Sequence, residues 1–177
     1  MNRHLILVRH AKSAWDDPSL SDHDRPLAPR GIKALPRLRD HLAGVEHRPE
    51  LVLCSSSRRT VETLEGVRAA LPTSARVEVD DSVYGASDDA LLALLRPIDE
   101  DIRCAMVIGH NPGLHDLAVL LIGAGDSDLR AQLEAKFPTG AAATLSFQQE
   151  WTHLGAGSAR LDDLFVPRPP QQAASAS

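Results

Sequence analysis

Three apolar runs in this chain each end in residues able to handle phosphate. "HLILV", His4–Val8, runs straight into Arg9 and His10. "ELVLC", Glu50–Cys54, passes through three serines to Arg58 and Arg59, and "CAMVIG", Cys104–Gly109, delivers His110. Short apolar runs of this kind are buried strands of a parallel sheet. Ligands in open α/β sheets bind beyond the carboxyl ends of such strands. One Arg-His pair alone is an ordinary surface feature; three endings converging on one sheet edge make a site. Guanidinium groups are planar donor forks that match phosphate oxygens. Helix N-termini after Ser57 and Asn111 would add backbone N–H groups. Two imidazoles there divide the work. One attacks phosphorus and carries the phosphoryl group until water removes it. The other, if protonated, would share charge with the arginines around the transferring oxygens.

Rival chemistries fit less well. Cys54 ends a strand and precedes two arginines, which suggests a cysteine nucleophile. A loop of that type places Arg six residues after Cys, and here that position is Thr60. Cys54 therefore reads as a small buried residue. His110 and His115 are five apart, whereas a metal-binding pair on one helix face is spaced by four. His23, His41, His47 and His153 lie in polar contexts and read as surface residues. There is no phosphate-binding glycine loop and no acidic cluster for two metals, so the expected chemistry uses neither metal nor cofactor.

The elements that must position these side chains follow from periodicity. Strands are expected at His4–Val8, Glu50–Cys54, Arg76–Val79, Cys104–Gly109 and Ala141–Gln148, with a weaker one near Arg160–Val166. Ile32, Leu35, Leu38 and Leu42 recur at three- and four-residue steps on one helix face. Pro29 suits the first turn of that helix, and Pro36 should bend its interior. Further helices are expected at Arg58–Leu71, Ser87–Leu95, Gly113–Ile122 and Asp128–Lys136. Strands alternating with helices imply a largely parallel sheet covered on both faces, with the last segments more antiparallel.

The 177 residues suffice for one domain, expected over 1–167, with a disordered Pro/Gln/Ala-rich tail at 168–177. Hydrophobic residues make up 43% and aromatics 3%, so Leu, Val, Ile and Ala must form the core. A net charge of −5 argues against a general nucleic-acid or membrane-surface binder. Two unpaired cysteines and no signal peptide suit a reduced cytoplasmic protein. A monomer is expected.

These residues give the chain a likeness. "VRHAKSAW" resembles the Arg-His-Gly signature of the histidine phosphatase superfamily, which is similar to phosphoglycerate mutase in fold. "RPLAPRG", Arg25–Gly31, resembles the Pro-Leu-Thr-x-x-Gly segment that follows it. "SSSRRTVET" resembles Ser-Pro-x-x-Arg-Ala-x-Gln-Thr, and "GHNPG" resembles the second-histidine motif. All four motifs, in order on a compact chain, resemble the SixA-type branch of phosphohistidine phosphatases, over about Arg3 to Arg168.

The resemblance implies a three-layer α-β-α sandwich with a mostly parallel central sheet. It implies His10 as nucleophile, Arg9 as phosphate ligand and His110 as second catalytic histidine and phosphate contact. Matching on Ser55 and Thr63 selects Arg59 rather than Arg58, and Arg25 becomes a further oxyanion contact. The implied activity is hydrolysis of phosphohistidine, in a protein or as a small phosphoramidate, through a phosphohistidine enzyme intermediate. A phosphomonoesterase for a small metabolite is the alternative. A non-catalytic phosphate-binding module is a third reading, against which the intact Arg9, His10, Arg59 and His110 weigh. Ala11 replaces the usual Gly, which costs little if its φ is negative. Asp16 stands where relatives often have Asn. The general-acid Glu of the mutase branches has no clear equivalent, Asp80 or Asp81 being the candidates in the right region. The short stretch from Ala11 to Arg25 suits an open, shallow pocket and a bulky substrate.

Overall fold

In the computed structural model, which describes residues 2–167, these apolar runs become one seven-stranded sheet. The elements in chain order are β1 (Arg3–Arg9), α1 (Pro29–Gly44), β2 (Leu51–Ser55), α2 (Arg58–Val67), β3 (Arg76–Asp80) and α3 (Asp88–Leu95). Then come β4 (Cys104–Gly109), α4 (Gly113–Leu121), β5 (Ile122–Gly125), α5 (Ser127–Ala135), β6 (Ala142–Phe147) and β7 (Ala159–Phe165). The sheet order is β3-β2-β4-β1-β6-β7-β5. The block β3-β2-β4-β1 is parallel, and β6 is antiparallel to both β1 and β7, as the later runs suggest.

Alternation along β1 builds the three layers. Leu5 and Leu7 face one core with Leu92, Leu95, Leu114, Leu117 and Leu133 of α3, α4 and α5. Ile6 and Val8 face the other, with Leu38 and Leu42 of α1 and Leu64 and Val67 of α2. Successive strand side chains point to opposite faces, so an uninterrupted apolar run is buried on both sides. Leu, Val, Ile and Ala fill most of this interior, with Phe137, Phe147 and Trp151 as the aromatic exceptions.

Two local expectations change, at Ile32 and at β5. Ile32 is 55% exposed, and the buried stripe of α1 is Gly31, Leu35, Leu38 and Leu42. Steps of four, three and four keep a single helix face, which Ile32 leaves by about 100°. Gly31 takes its place because a Cβ there would collide with the Lys12 backbone. α1 continues past Pro36, which lies on the exposed side. β5 was not expected, since Ile122 reads as the end of α4. Four residues with two glycines carry no alternation of their own, and β5 exists through parallel pairing with β7. The tail expected to be disordered, 168–177, lies outside the described residues. No helix among the described residues is long and apolar enough to cross a membrane.

Candidate active site

Register brings the strand ends together. β1 and β4 are parallel neighbours with Arg9 opposite Gly109, and β2 lies on the far side of β4. Neighbouring strands are about 4.8 Å apart, so residues just past their ends meet. The His10 N–H donates to the Gly109 carbonyl at 3.1 Å, and the His10 and His110 ring centroids are 5.2 Å apart.

The two imidazoles are held in different ways. His10 is 7% exposed and its Nδ1 lies 2.7 Å from the Ala11 carbonyl. A carbonyl only accepts, so Nδ1 carries the proton and Nε2 keeps a free lone pair. His110 Nε2 lies 2.7 Å from Ser55 Oγ, and its Nδ1 faces an Arg59 Nη2–H at 3.4 Å. Arginine only donates, so His110 Nδ1 accepts and Nε2–H donates to Ser55. Burial, reinforced by the Arg59 and Arg9 charges, pushes the His10 imidazole down to about 4. Burial, then His10 and Arg59, pushes His110 down to about 3. Both rings are therefore neutral at pH 7, and the Nε2 of His10 carries an unshared lone pair.

The arginines separate by helical rotation. Arg58 opens α2, its side chain 55% exposed and bonded to Glu62 four residues on at 2.8 Å. Arg59, one residue later, turns about 100° inward and is 7% exposed. It donates to the Asp22 carbonyl at 2.6 Å and the Asp22 carboxylate at 3.0 Å. Arg9 donates to the Phe137 carbonyl at 3.0 Å, which also accepts from Asn111 Nδ2 at 2.9 Å. Arg9 Nε has no hydrogen-bond partner. Arg25 stacks its guanidinium 3.9 Å over the Trp15 ring and sits 4.0 Å from the Asp22 carboxylate.

The backbone under His10 is fixed from α2. The Ala11 N–H donates to Thr63 Oγ1 at 3.0 Å, and the Thr63 hydroxyl donates to the Arg59 carbonyl at 2.7 Å. Ala11 has a negative φ, since no non-glycine residue described has a positive one, so its methyl group is accommodated without strain. Cys54 is fully buried, its thiol pushed up to about 12 by desolvation, and it serves packing. Asp16 is exposed.

Asp22 and Tyr84 are the residues that sequence reasoning missed. Tyr84 OH donates to Asp22 Oδ2 at 2.7 Å, and the Tyr84 ring meets His110 edge-on at 5.5 Å. The Tyr84 hydrogen bond, then Arg59, holds the Asp22 carboxyl below the usual carboxylate range. Tyr84 is the single tyrosine of the chain, which was a signal available in the sequence. Asp22 is one of several acids in a polar loop and carried none. Asp80 accepts from the Ser82 N–H at 2.8 Å as a local cap, and Asp81 is exposed. Among the described residues no group of three His, Cys, Asp or Glu is arranged to hold a metal ion.

The pattern of the histidine phosphatase superfamily (branch 1) matches residues 5–84. A solved structure from Agrobacterium tumefaciens, assigned as the phosphohistidine phosphatase SixA, is 30% identical, with TM-score 0.79 over 93% of this chain and 98% of that one. The chain belongs to the histidine phosphatase superfamily. It is a phosphatase of the SixA type, with the phosphoglycerate mutase-like fold. A second structure so assigned, from Nakamurella multipartitia, is 29% identical with TM-score 0.82, over 94% of this chain and 97% of that one. An uncharacterized protein of Mycobacterium tuberculosis is 34% identical to this phosphatase over 167 residues, 91% of this chain and 100% of that protein.

Proposed function

We propose that this phosphatase hydrolyses phosphohistidine, with His10 as nucleophile and Arg9, Arg25, Arg59 and His110 around the phosphoryl oxygens. The observation that carries the substrate class is the state of Asp22. It is the carboxylate bonded to Arg59, and Tyr84 and Arg59 keep it ionised, so it has no proton to give. An alkyl phosphate expels an alkoxide and needs a positioned acid. A phosphohistidine expels imidazole, which leaves neutral once its other ring nitrogen is protonated. Solvent can do that near an imidazole pKa of about 6.5. The likeness to proteins assigned as SixA phosphohistidine phosphatases supports the same reading.

The steps follow from the two tautomers. The His10 Nε2 lone pair attacks phosphorus in line while the bond from phosphorus to the substrate nitrogen breaks. The Ala11 carbonyl, holding Nδ1–H, steadies the positive charge that His10 acquires. Water then attacks phosphorus, the Nε2–P bond breaks, and inorganic phosphate leaves with both of the water's protons. His10 returns neutral. A bound dianion raises the His110 pKa from its low folded value and so favours the charged, donating form of that ring.

A substrate panel tests this. A phosphohistidine peptide should be turned over about 100-fold or more faster in kcat/KM than an unactivated alkyl phosphate, the lower range of a general acid's usual contribution. His10→Ala should abolish turnover with the fold intact, and wild-type activity should persist in excess EDTA. Comparable hydrolysis of the alkyl phosphate, lost in Asp80→Asn or Asp81→Asn, would instead establish the metabolite phosphomonoesterase.

A further inference from the structure

A cationic groove shares Arg9 with the candidate phosphate site. Its cavity of about 610 Å³ is bounded by Arg9 at the catalytic end, Lys12 of the following loop, Arg30, Lys33 and Arg37 of α1, and Lys136 after α5. Among the described residues, no acidic and no aromatic side chain lines it. This concentration of positive charge stands on a chain whose net charge is −5. Lys12, Arg30, Lys33 and Lys136 take part in no ion pair among the described residues, whereas Arg3, Arg39, Arg58, Arg76 and Arg160 are paired with acids. Spacings of three and four place Arg30, Lys33 and Arg37 along one face of α1, over about 10 Å of helix axis. The groove forms because Gly31 lets α1 lie against the Lys12 backbone.

Resting on the reading of the substrate as phosphohistidine, we propose that this groove binds acidic residues of the polypeptide that carries it, beside the phosphorylated side chain. A compact second phosphate would call for buried donors converging on one point. These cations are exposed and strung out in a row. Carboxylates on alternate residues of an extended chain lie about 6.6 Å apart on one side, which suits donors at successive helix turns. Nucleic acid fits less well, because the groove offers no ring on which a base could stack.

Two phosphohistidine peptides differing only in Asp against Asn at the flanking positions decide the matter. The acidic peptide should be preferred about tenfold or more in kcat/KM, through KM. The preference should vanish in Arg30→Ala/Lys33→Ala and at about 0.5 M salt, while the double variant turns over phosphoramidate like the wild type. Equal kcat/KM for both peptides in the wild-type enzyme would overturn the groove assignment and leave the substrate class standing. Hydrolysis of neither peptide would overturn the substrate class. The groove is then judged by fluorescence anisotropy with the unphosphorylated acidic peptide. Binding weakened tenfold or more by Arg30→Ala/Lys33→Ala supports it; unchanged binding, or tighter binding of an RNA oligonucleotide of equal charge, overturns it.

Discussion

At the scale of the residue, one step of helical rotation separates two neighbouring arginines. Arg58 spends its charge on Glu62 at the surface, and Arg59 carries its charge to the His10–His110 pair. Arg59→Ala should lower kcat by about 10²–10³-fold, the usual cost of removing a charge-stabilising donor from a transition state. Arg58→Ala should remain within a few-fold of wild type, since an exposed helical ion pair is worth at most about 0.5 kcal/mol. Steady-state kinetics on a phosphoramidate checks both, and an Arg58 variant that proves the weaker enzyme would contradict the assignment. The same scale holds Asp22. It anchors Arg59 through two hydrogen bonds, one to its backbone carbonyl and one to its carboxylate, and that carboxylate is itself fixed by Tyr84.

At the scale of the element, α1 and α2 grip the loop after β1. α2 does so through Thr63 and the Ala11 N–H, and through Glu62, whose carboxylate accepts from the Leu27 N–H at 2.7 Å. α1 does so by contact, with Gly31 against Lys12 and the Ala28 N–H donating to the Lys12 carbonyl at 2.8 Å. On the opposite side, Gly113 at the start of α4 sits against the Ala86 backbone, close to Tyr84. A Cβ at position 31 has backbone in its way rather than a flexible side chain, so the helix or the loop must shift. Gly31→Ala should therefore destabilise the fold by about 1–3 kcal/mol and lower kcat through the displaced His10 loop. Urea denaturation and turnover measured together check this, and a fully stable, fully active variant would refute it.

At the scale of the whole molecule, the sheet buries two neutral imidazoles at its catalytic edge, and stability becomes pH-dependent as a result. Folded values of about 4 for His10 and about 3 for His110 lie below the ordinary histidine value of the unfolded chain. The unfolded state therefore takes up protons that the folded state refuses. The contribution is complete above about pH 6.5 and is lost as pH falls toward the folded values. The slope is about 1.4 kcal/mol per pH unit for each histidine. Urea midpoints measured from pH 7 to 4.5 should fall steadily, and His110→Gln should flatten the fall. Equal slopes in the two proteins would rule out this source.

The sequence alone determined the strand ends and what they carry. Burial writes its periodicity into the chain locally, so β1, β2 and β4 were legible, and with them Arg9, His10, Arg59 and His110 as candidates for one edge. The family resemblance pointed to Arg59 rather than Arg58, and it is Arg59 that the structure buries beside His110. Tertiary structure alone decided the rest. Asp22 and Tyr84 come from loops that are 62 positions apart in the chain and meet over Arg59, and β5 is a strand only because β7 lies beside it. Ile32 faces solvent because Gly31 is the residue that fits against Lys12. The cationic groove draws on Arg9, Lys12, α1 and Lys136. Each of these depends on which distant backbones can approach one another, and that is a property of packing rather than of any short stretch of sequence.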